Sequence, residues 1–265
     1  MVNLINKYYI YKPQVTTRAL KVFNRNFLVF LKHWKSSLMF NFIEPLLYLA
    51  ALGFGLGVYV EEVEGISYLQ YIAPGLVVSS AMWSTSFECT YGSFTRMQLH
   101  RIFHAMITTP LSIDEVVTGE IIYGAFKSFL YGTVFLAVVT ILGLISSPWV
   151  LLTPPLLFIV GIVFAETAMI WTSISPNFDS YAYYFTLIIT PMFLFSGVFF
   201  PVKNMPFFVQ VIAWMTPLFH AVEISRNLAI GQVSVMLFLH FFIILLFAVL
   251  LFSFPLILMR RRLIK

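Results

Sequence analysis

The stretch LFLHFFIILLFAVLLFSFPLILM, Leu237 to Met259, contains no ionisable group except His240. A helix needs about 20 mostly apolar residues to cross the hydrocarbon of a bilayer, and this run supplies them. Ile121 to Ile145 repeats the pattern, with Lys127 as its one charge. Neither run alternates with the two-residue period of a membrane barrel strand, which leaves the helix as the spanning solution. The chain is therefore read as a polytopic, all-α membrane protein.

Composition agrees with that reading. Of 265 residues, 60% are hydrophobic and 10% charged, against roughly 25% charged in soluble domains. Cys89 is the single cysteine, so no internal disulfide is possible. The first residues are polar and basic, and no removable signal peptide is expected. The net charge of +5 is distributed toward membrane ends, so nucleic acid is not expected as a partner.

About six spanning helices are expected, near Leu38–Val58, Leu69–Tyr91, Ile121–Ile145, Trp149–Thr172, Tyr181–Phe200 and Val235–Met259. The second is diluted by Ser79, Ser80, Ser84, Thr85, Ser86 and Glu88, a composition that suits packing against protein. Lys7, Lys12, Arg18, Lys21, Arg25, Lys32 and Lys35 precede the first span, Arg96 and Arg101 come after the second, and Arg260, Arg261, Arg262 and Lys265 come after the last. An even number of spans puts all of these on one side, which predicts cytoplasmic termini. The other side holds Glu61, Glu62 and Glu64, with Lys203 and Arg226 as its cations. Over residues 14–36 the cations recur at helical spacing opposite Leu20, Phe23, Phe27, Phe30, Leu31 and Trp34. That pattern predicts an amphipathic interfacial helix with its cations toward anionic membrane lipids, or a plain positive-inside anchor.

FSGVFFPVKNMPFF (195–208) leaves the bilayer and re-enters it. Pro201 stops span five, and Pro206 suits the first turn of a new helix. The next segment is apolar but interrupted by Thr216-Pro217, His220, Glu223 and Arg226. Residues 201–230 are thus expected to form an outer re-entrant helical hairpin, covering a pathway because broken backbone needs cover. A helix lying flat on the outer surface is the plainer alternative. Glu223 and Arg226 are spaced to pair.

Charges within spans are suspects for function. Glu120 and Lys127 share a face of span three, and Glu88 lies about 12 Å inward of Arg96 at ~1.5 Å rise per residue. A Glu88–Lys127 pair with Glu120 nearby is expected to join spans two and three. Glu44 is expected near the amphipathic helix, and Glu166 has no evident partner. His220 and His240 read as packed residues, since no further ligand stands at metal-site spacing. No metal site is expected.

Ile189 to Asn227, ITPMFLFSGVFFPVKNMPFFVQVIAWMTPLFHAVEISRN, resembles the signature region of type-2 ABC exporter permeases, through Ser196, Gly197, Pro201, Pro206, Pro217, Leu218 and Arg226. GFGLGV (53–58), YIAPGLVVSSAMWSTSFE (71–88), FTRMQLHRIFHAMITTPLSIDEVVTGE (94–120) and the closing RRRL extend the likeness along nearly the whole chain, which most resembles the nodulation-factor (lipo-oligosaccharide) exporter branch. The resemblance implies a single permease domain over residues 1–265 in a bacterial inner membrane. It also implies a dimer, of identical copies in the simplest arrangement, working with two separate ATPase subunits. The sequence has no G-x-x-x-x-G-K-[ST] loop, so ATP is expected on the partner and no cofactor on this chain.

By the same resemblance, residues 96–115 form the ATPase-coupling segment. Arg96 and Arg101 would meet acidic rims, Phe103 and Met106 an apolar notch, and Thr109-Pro110 would end the helix. An ordinary positive-inside loop is the alternative reading of this segment. An ion- or proton-coupled secondary transporter is the rival function, but paired broken helices in related halves are not evident. No H-E-x-x-H or G-x-S-x-G constellation suggests an enzyme.

Overall fold

A computed structural model of the chain describes residues 13–60 and 62–264. Lys7, Lys12, Glu61 and Lys265, counted in the charge balance above, lie outside them. Two helices begin at reciprocal serine caps, which satisfy backbone donors that a first turn leaves unpaired. Ser67 accepts from the Gln70 N–H while the Gln70 side chain accepts from the Ser67 N–H, both at 3.3 Å. Ser112 and Glu115 repeat the device at 3.2 and 2.7 Å.

The described chain is all-α apart from a hairpin of two short strands, Glu62–Val63 and Ile66–Ser67. Its helices are α1 (Ala19–Gly55), α2 (Tyr68–Phe87), α3 (Ile102–Ile107), α4 (Ile113–Ile141), α5 (Pro148–Ile174), α6 (Tyr181–Phe195), α7 (Phe207–Trp214), α8 (Pro217–Ile230) and α9 (Val235–Leu263). Among these, α4, α5 and α9 are long and apolar enough to cross a membrane. The pair α7 and α8 passes the same test jointly but is bent by 88°. The apolar pieces Ile43–Val58 and Tyr181–Phe195 are shorter.

Helix α4 is central, packing against α1, α2 and α5. Its contact with α5 is close because Gly161 has no side chain: a Cβ there would stand 2.5 Å from Ser128 Cβ and 2.7 Å from Ala125 Cα. Without a hydrophobic drive between helices in lipid, such small-residue contacts allow dense backbone packing. The basic end of the bundle gathers Gln14, Asp114 and Arg260, and Arg262 donates there to the carbonyls of Thr172 and Ser175 at 2.7 and 2.6 Å. The opposite, hairpin end carries the two strands, α7, α8 and a Lys203–Glu64 ion pair of 2.5 Å.

Two boundaries, and the packing of one helix face, differ from expectation. Helix α1 is continuous from Ala19 to Gly55, so no helix break separates residues 14–36 from the first apolar span. Glu44 therefore cannot fold back on that segment, and it lines a cavity instead. The Phe23, Phe27 and Phe30 face of α1 packs on Phe126 of α4 with ring centroids 5.4–6.2 Å apart, while Leu20, Leu31 and Trp34 remain exposed. Finally, α6 ends at Phe195, ahead of Pro201, because Gly197 adopts φ +77°, a conformation that ends a right-handed helix at little cost only for glycine.

Candidate functional site

At the basic end, α2 continues into wide π-turns over Glu88–Gly92 and Thr95–Leu99. Such turns insert a residue into the helical register and rotate the downstream side chains onto a new face. Arg96 consequently points into the bundle. Its guanidinium stands 2.7 Å from Glu88 Oε1 and 2.5 Å from Glu120 Oε2. Glu120, fully buried, also accepts from Ser93 Oγ at 2.6 Å and from Asn26 Nδ2 at 2.8 Å. Lys127 Nζ lies 3.5 Å from Glu88 Oε2, and donates to Ser37 Oγ at 3.0 Å and Tyr131 Oη at 3.2 Å. The cluster thus ties α1, α2 and α4 together. The resemblance assigns Arg96 to the docking segment, whereas here the π-turns turn its guanidinium into the bundle. Asn26 and Ser93 escape the sequence reading altogether, although an asparagine on the apolar side of a helix is an available signal.

The expected coupling segment is likewise redistributed. Phe103 is fully buried in the core and cannot enter a partner's notch, because α3 turns it inward. Met106 packs partly against the same core. Arg101 is exposed, at the positive φ of 51° that starts α3, and Leu99 is 63% exposed beside it. Pro110 lies on the exposed turn beyond α3, where its carbonyl accepts from Arg18 Nη1 at 2.7 Å. The turn is moored further by Gln14, whose N–H donates to Asp114 Oδ2 at 2.9 Å and whose carbonyl accepts from Ser112 Oγ at 3.1 Å. Thr16 also donates to Glu115.

At the hairpin end, Arg226 of α8 is a second buried guanidinium. It pairs with Glu223 at 2.9 Å, donates to the Gly197 carbonyl at 2.5 Å and the Tyr71 carbonyl at 3.2 Å, and lies 3.8 Å from the centre of the Tyr71 ring. The Tyr71 hydroxyl donates to the same Gly197 carbonyl at 3.2 Å. Pro206 caps α7 and Pro217 occupies the first turn of α8, as suits a residue without an N–H. Pro201 precedes a short turn at Val202–Asn204. Nearby, His220 Nε2 donates to the Trp214 carbonyl at 2.8 Å, leaving its Nδ1 to accept from His240 Nδ1 at 2.7 Å. Among the described residues no cluster of three metal-ligating side chains occurs.

A cavity of about 400 Å³ opens between α1, α2 and α6. Tyr48, Trp83, Phe87 and Phe193 give it aromatic walls, while Glu44 and Ser79 supply polar groups. The rings of Trp83, Phe87 and Tyr91 succeed one another along α2 and its first π-turn, and Phe185 stacks against all three at 5.6, 4.5 and 5.9 Å. Glu166, in α5, is fully buried, and neither carboxyl oxygen has a hydrogen-bond partner among the described residues.

Comparison with known proteins gives consistent results. The family described as ABC-2 type transporter matches residues 18–230. Nodulation protein J of Rhizobium leguminosarum bv. viciae is 37% identical over 246 residues, covering 93% of this chain and 95% of that protein. Nodulation protein J of Sinorhizobium fredii (strain NBRC 101917 / NGR234) is 36% identical over 246 residues, covering 93% and 94%. The inner membrane transport permease YadH of Escherichia coli (strain K12) is 23% identical over 225 residues, covering 83% and 86%. No solved structure matches.

Proposed function

We propose, for a chain that belongs to the ABC-2 type transporter family, the role of permease in an ATP-driven exporter of an amphiphile such as a lipo-oligosaccharide. The chain is a multi-pass membrane transport subunit, and family membership implies an ABC ATPase as its partner. The likeness to nodulation protein J along 93% of the chain carries the reading. In the proposed assembly two identical permeases meet two ATPases, each permease crosses the inner membrane six times, and both termini are cytoplasmic. Nucleotide is bound and hydrolysed on the partner, and this chain needs no cofactor of its own.

The proposed coupling surface is the exposed part of residues 96–115: Leu99, Arg101 and the α3 flank, with Pro110 at its edge. Phe103 and Met106 support that surface from behind. The Glu88–Arg96–Glu120–Lys127 cluster would transmit its displacement to α2 and α4. The aromatic cavity is the proposed route for cargo. An acyl chain can stay in lipid while rings such as Trp83 and Phe87 offer apolar faces to the polar part, which otherwise meets ~30 Å of hydrocarbon. The α7–α8 pair is the proposed re-entrant cover at the outer end, supported by its 88° bend.

Reconstitution in vesicles together with its ABC ATPase tests the reading. ATP-dependent movement of labelled lipo-oligosaccharide away from the ATPase-bearing face is expected, and equal movement without the ATPase would overturn it. The unpartnered Glu166 favours one second reading, a proton-coupled carrier. Transport abolished by an uncoupler, but indifferent to ATP, would select that reading instead.

A further inference from the structure

A second cavity, of about 370 Å³, opens at the basic end between α1, the π-turns after α2, and α4. Arg25, Asn26, Thr95, Arg96, His100 and Tyr123 line it. Its charge is not balanced from within. Arg96 is matched by Glu88 and Glu120, and Lys127 shares Glu88. Arg25 is half-buried, and among the described residues no carboxylate lies within ion-pair distance of it. Its one side-chain partner there is a neutral amide, Asn26 Oδ1 at 2.8 Å. Asn26 in turn spends its own N–H₂ on Glu120 at 2.8 Å.

A guanidinium carries five donors in a planar fork that matches phosphate. Holding one partly out of water with a single neutral acceptor costs solvation, which Glu120, out of hydrogen-bond reach and shared with Arg96, offsets only in part while Arg96 itself repels it. An anion would complete it. The two carboxylates of the neighbourhood stand behind Arg96 and Asn26 and accept from them, so they leave the Arg25 side of the cavity electropositive. His100 adds a further polar side chain at the wall. The cavity opens beside the stretch of α1 that carries exposed Leu28 and Val29, a surface compatible with an acyl chain.

We propose that this Arg25 cavity binds a phosphate group, presented by an anionic amphiphile or by a free phosphoester. The assignment goes beyond the transport reading and does not depend on it, because binding is measured without ATP or cargo movement. The full-length chain, purified in a neutral detergent, is titrated with short-chain phosphatidic acid, with phosphatidylcholine of the same chains, and with inorganic phosphate. Bound ligand is counted by native mass spectrometry, and thermal unfolding is followed in parallel, since a ligand specific to the folded state raises the midpoint.

Saturable binding of phosphatidic acid in preference to phosphatidylcholine is expected. Arg25→Gln should weaken it about tenfold, the scale of one charge-assisted contact. Arg25→Lys should retain most of it, and Lys32→Gln, an exposed cation further along the same helix, should leave it unchanged. Displacement of the lipid by millimolar inorganic phosphate identifies a free phosphoester as sufficient; lipid binding that resists phosphate identifies a lipid-borne group. If Lys32→Gln weakens binding as much as Arg25→Gln, the attraction belongs to the general basic surface and the site is refuted. Absence of saturable binding by either probe refutes it as well. Unfolding midpoints without ligand separate a damaged fold from a lost site.

Discussion

The molecule buries an arginine at each end of α2 and neutralises the two in opposite ways. At the basic end, Arg96 meets carboxylates from its own helix and from α4. At the hairpin end, Arg226 has one carboxylate, partly exposed Glu223, and leans on two backbone carbonyls and an aromatic face. The contrast stems from the state of the backbone. Where helices are continuous, most carbonyls already accept a backbone N–H, and side chains from neighbouring helices do most of the balancing of a buried charge; Tyr71, in the first turn of α2, still offers Arg226 its second lone pair. Where α6 stops at Phe195, the Gly197 carbonyl just beyond it is left over, and a guanidinium is the group that fills it. The first arrangement joins helices; the second repairs a break.

Substitutions sharpen that contrast. The largest effect is expected from Glu120→Ala, which leaves Arg96 with Glu88 alone and removes an acceptor from Ser93 and Asn26. Breaking a buried pair from one side costs about 3–5 kcal/mol, so a detergent thermal-shift assay should show a marked loss of folded protein. Arg226→Lys comes next. An ammonium has no fork to span Gly197 and Tyr71, and one lost hydrogen bond to a charged group is worth about 1.5–3 kcal/mol. An Arg226→Lys variant as stable as the parent would show that the break needs no repair. Lys127→Met should cost less, about 1 kcal/mol, because Glu88 keeps Arg96 and the methionine still fills the space beside Phe30. Unchanged assembly and transport in that variant would make Lys127 dispensable. The smallest effect belongs to Lys203→Ala. Its pair with Glu64 is exposed, and exposed pairs contribute roughly 0–1 kcal/mol, screened by salt. A loss there beyond that range would mean the hairpin end is held by its surface instead of by Arg226.

Whatever depends on local composition was legible in the sequence. The run from Leu237 to Met259 announced a spanning helix because length and apolarity are properties of the segment itself. Pro206 announced a helix start and Thr216-Pro217 a break for the same reason, and Glu223 with Arg226 stand one turn apart on one helix. Contacts between distant segments were less accessible. No spacing rule brings Tyr71 to Arg226. The resemblance sets the docking segment's bounds but not the face of each residue in it, and the extra residue in each π-turn turns Arg96 inward. Phe103 is assigned to the docking face by resemblance, and α3, six residues long, is too short for periodicity to show instead that its ring lies in the core. The aromatic cavity was invisible for a related reason: Trp83 and Phe87 share a helix, but Tyr48 and Phe193 arrive from elsewhere.

The mooring of residues 14–18 on the turn from Pro110 to Glu115 has a mechanical corollary. Four hydrogen bonds stitch the lead-in to α1 onto the entrance of α4, so a force applied to the turn beyond α3 is shared at once between two levers. Severing two of the four stitches by Arg18→Ala with Thr16→Val should let the α3 turn slip under load while the bundle stays assembled. The partner's ATP hydrolysis would then run faster relative to each cargo molecule moved, the signature of a loosened clutch.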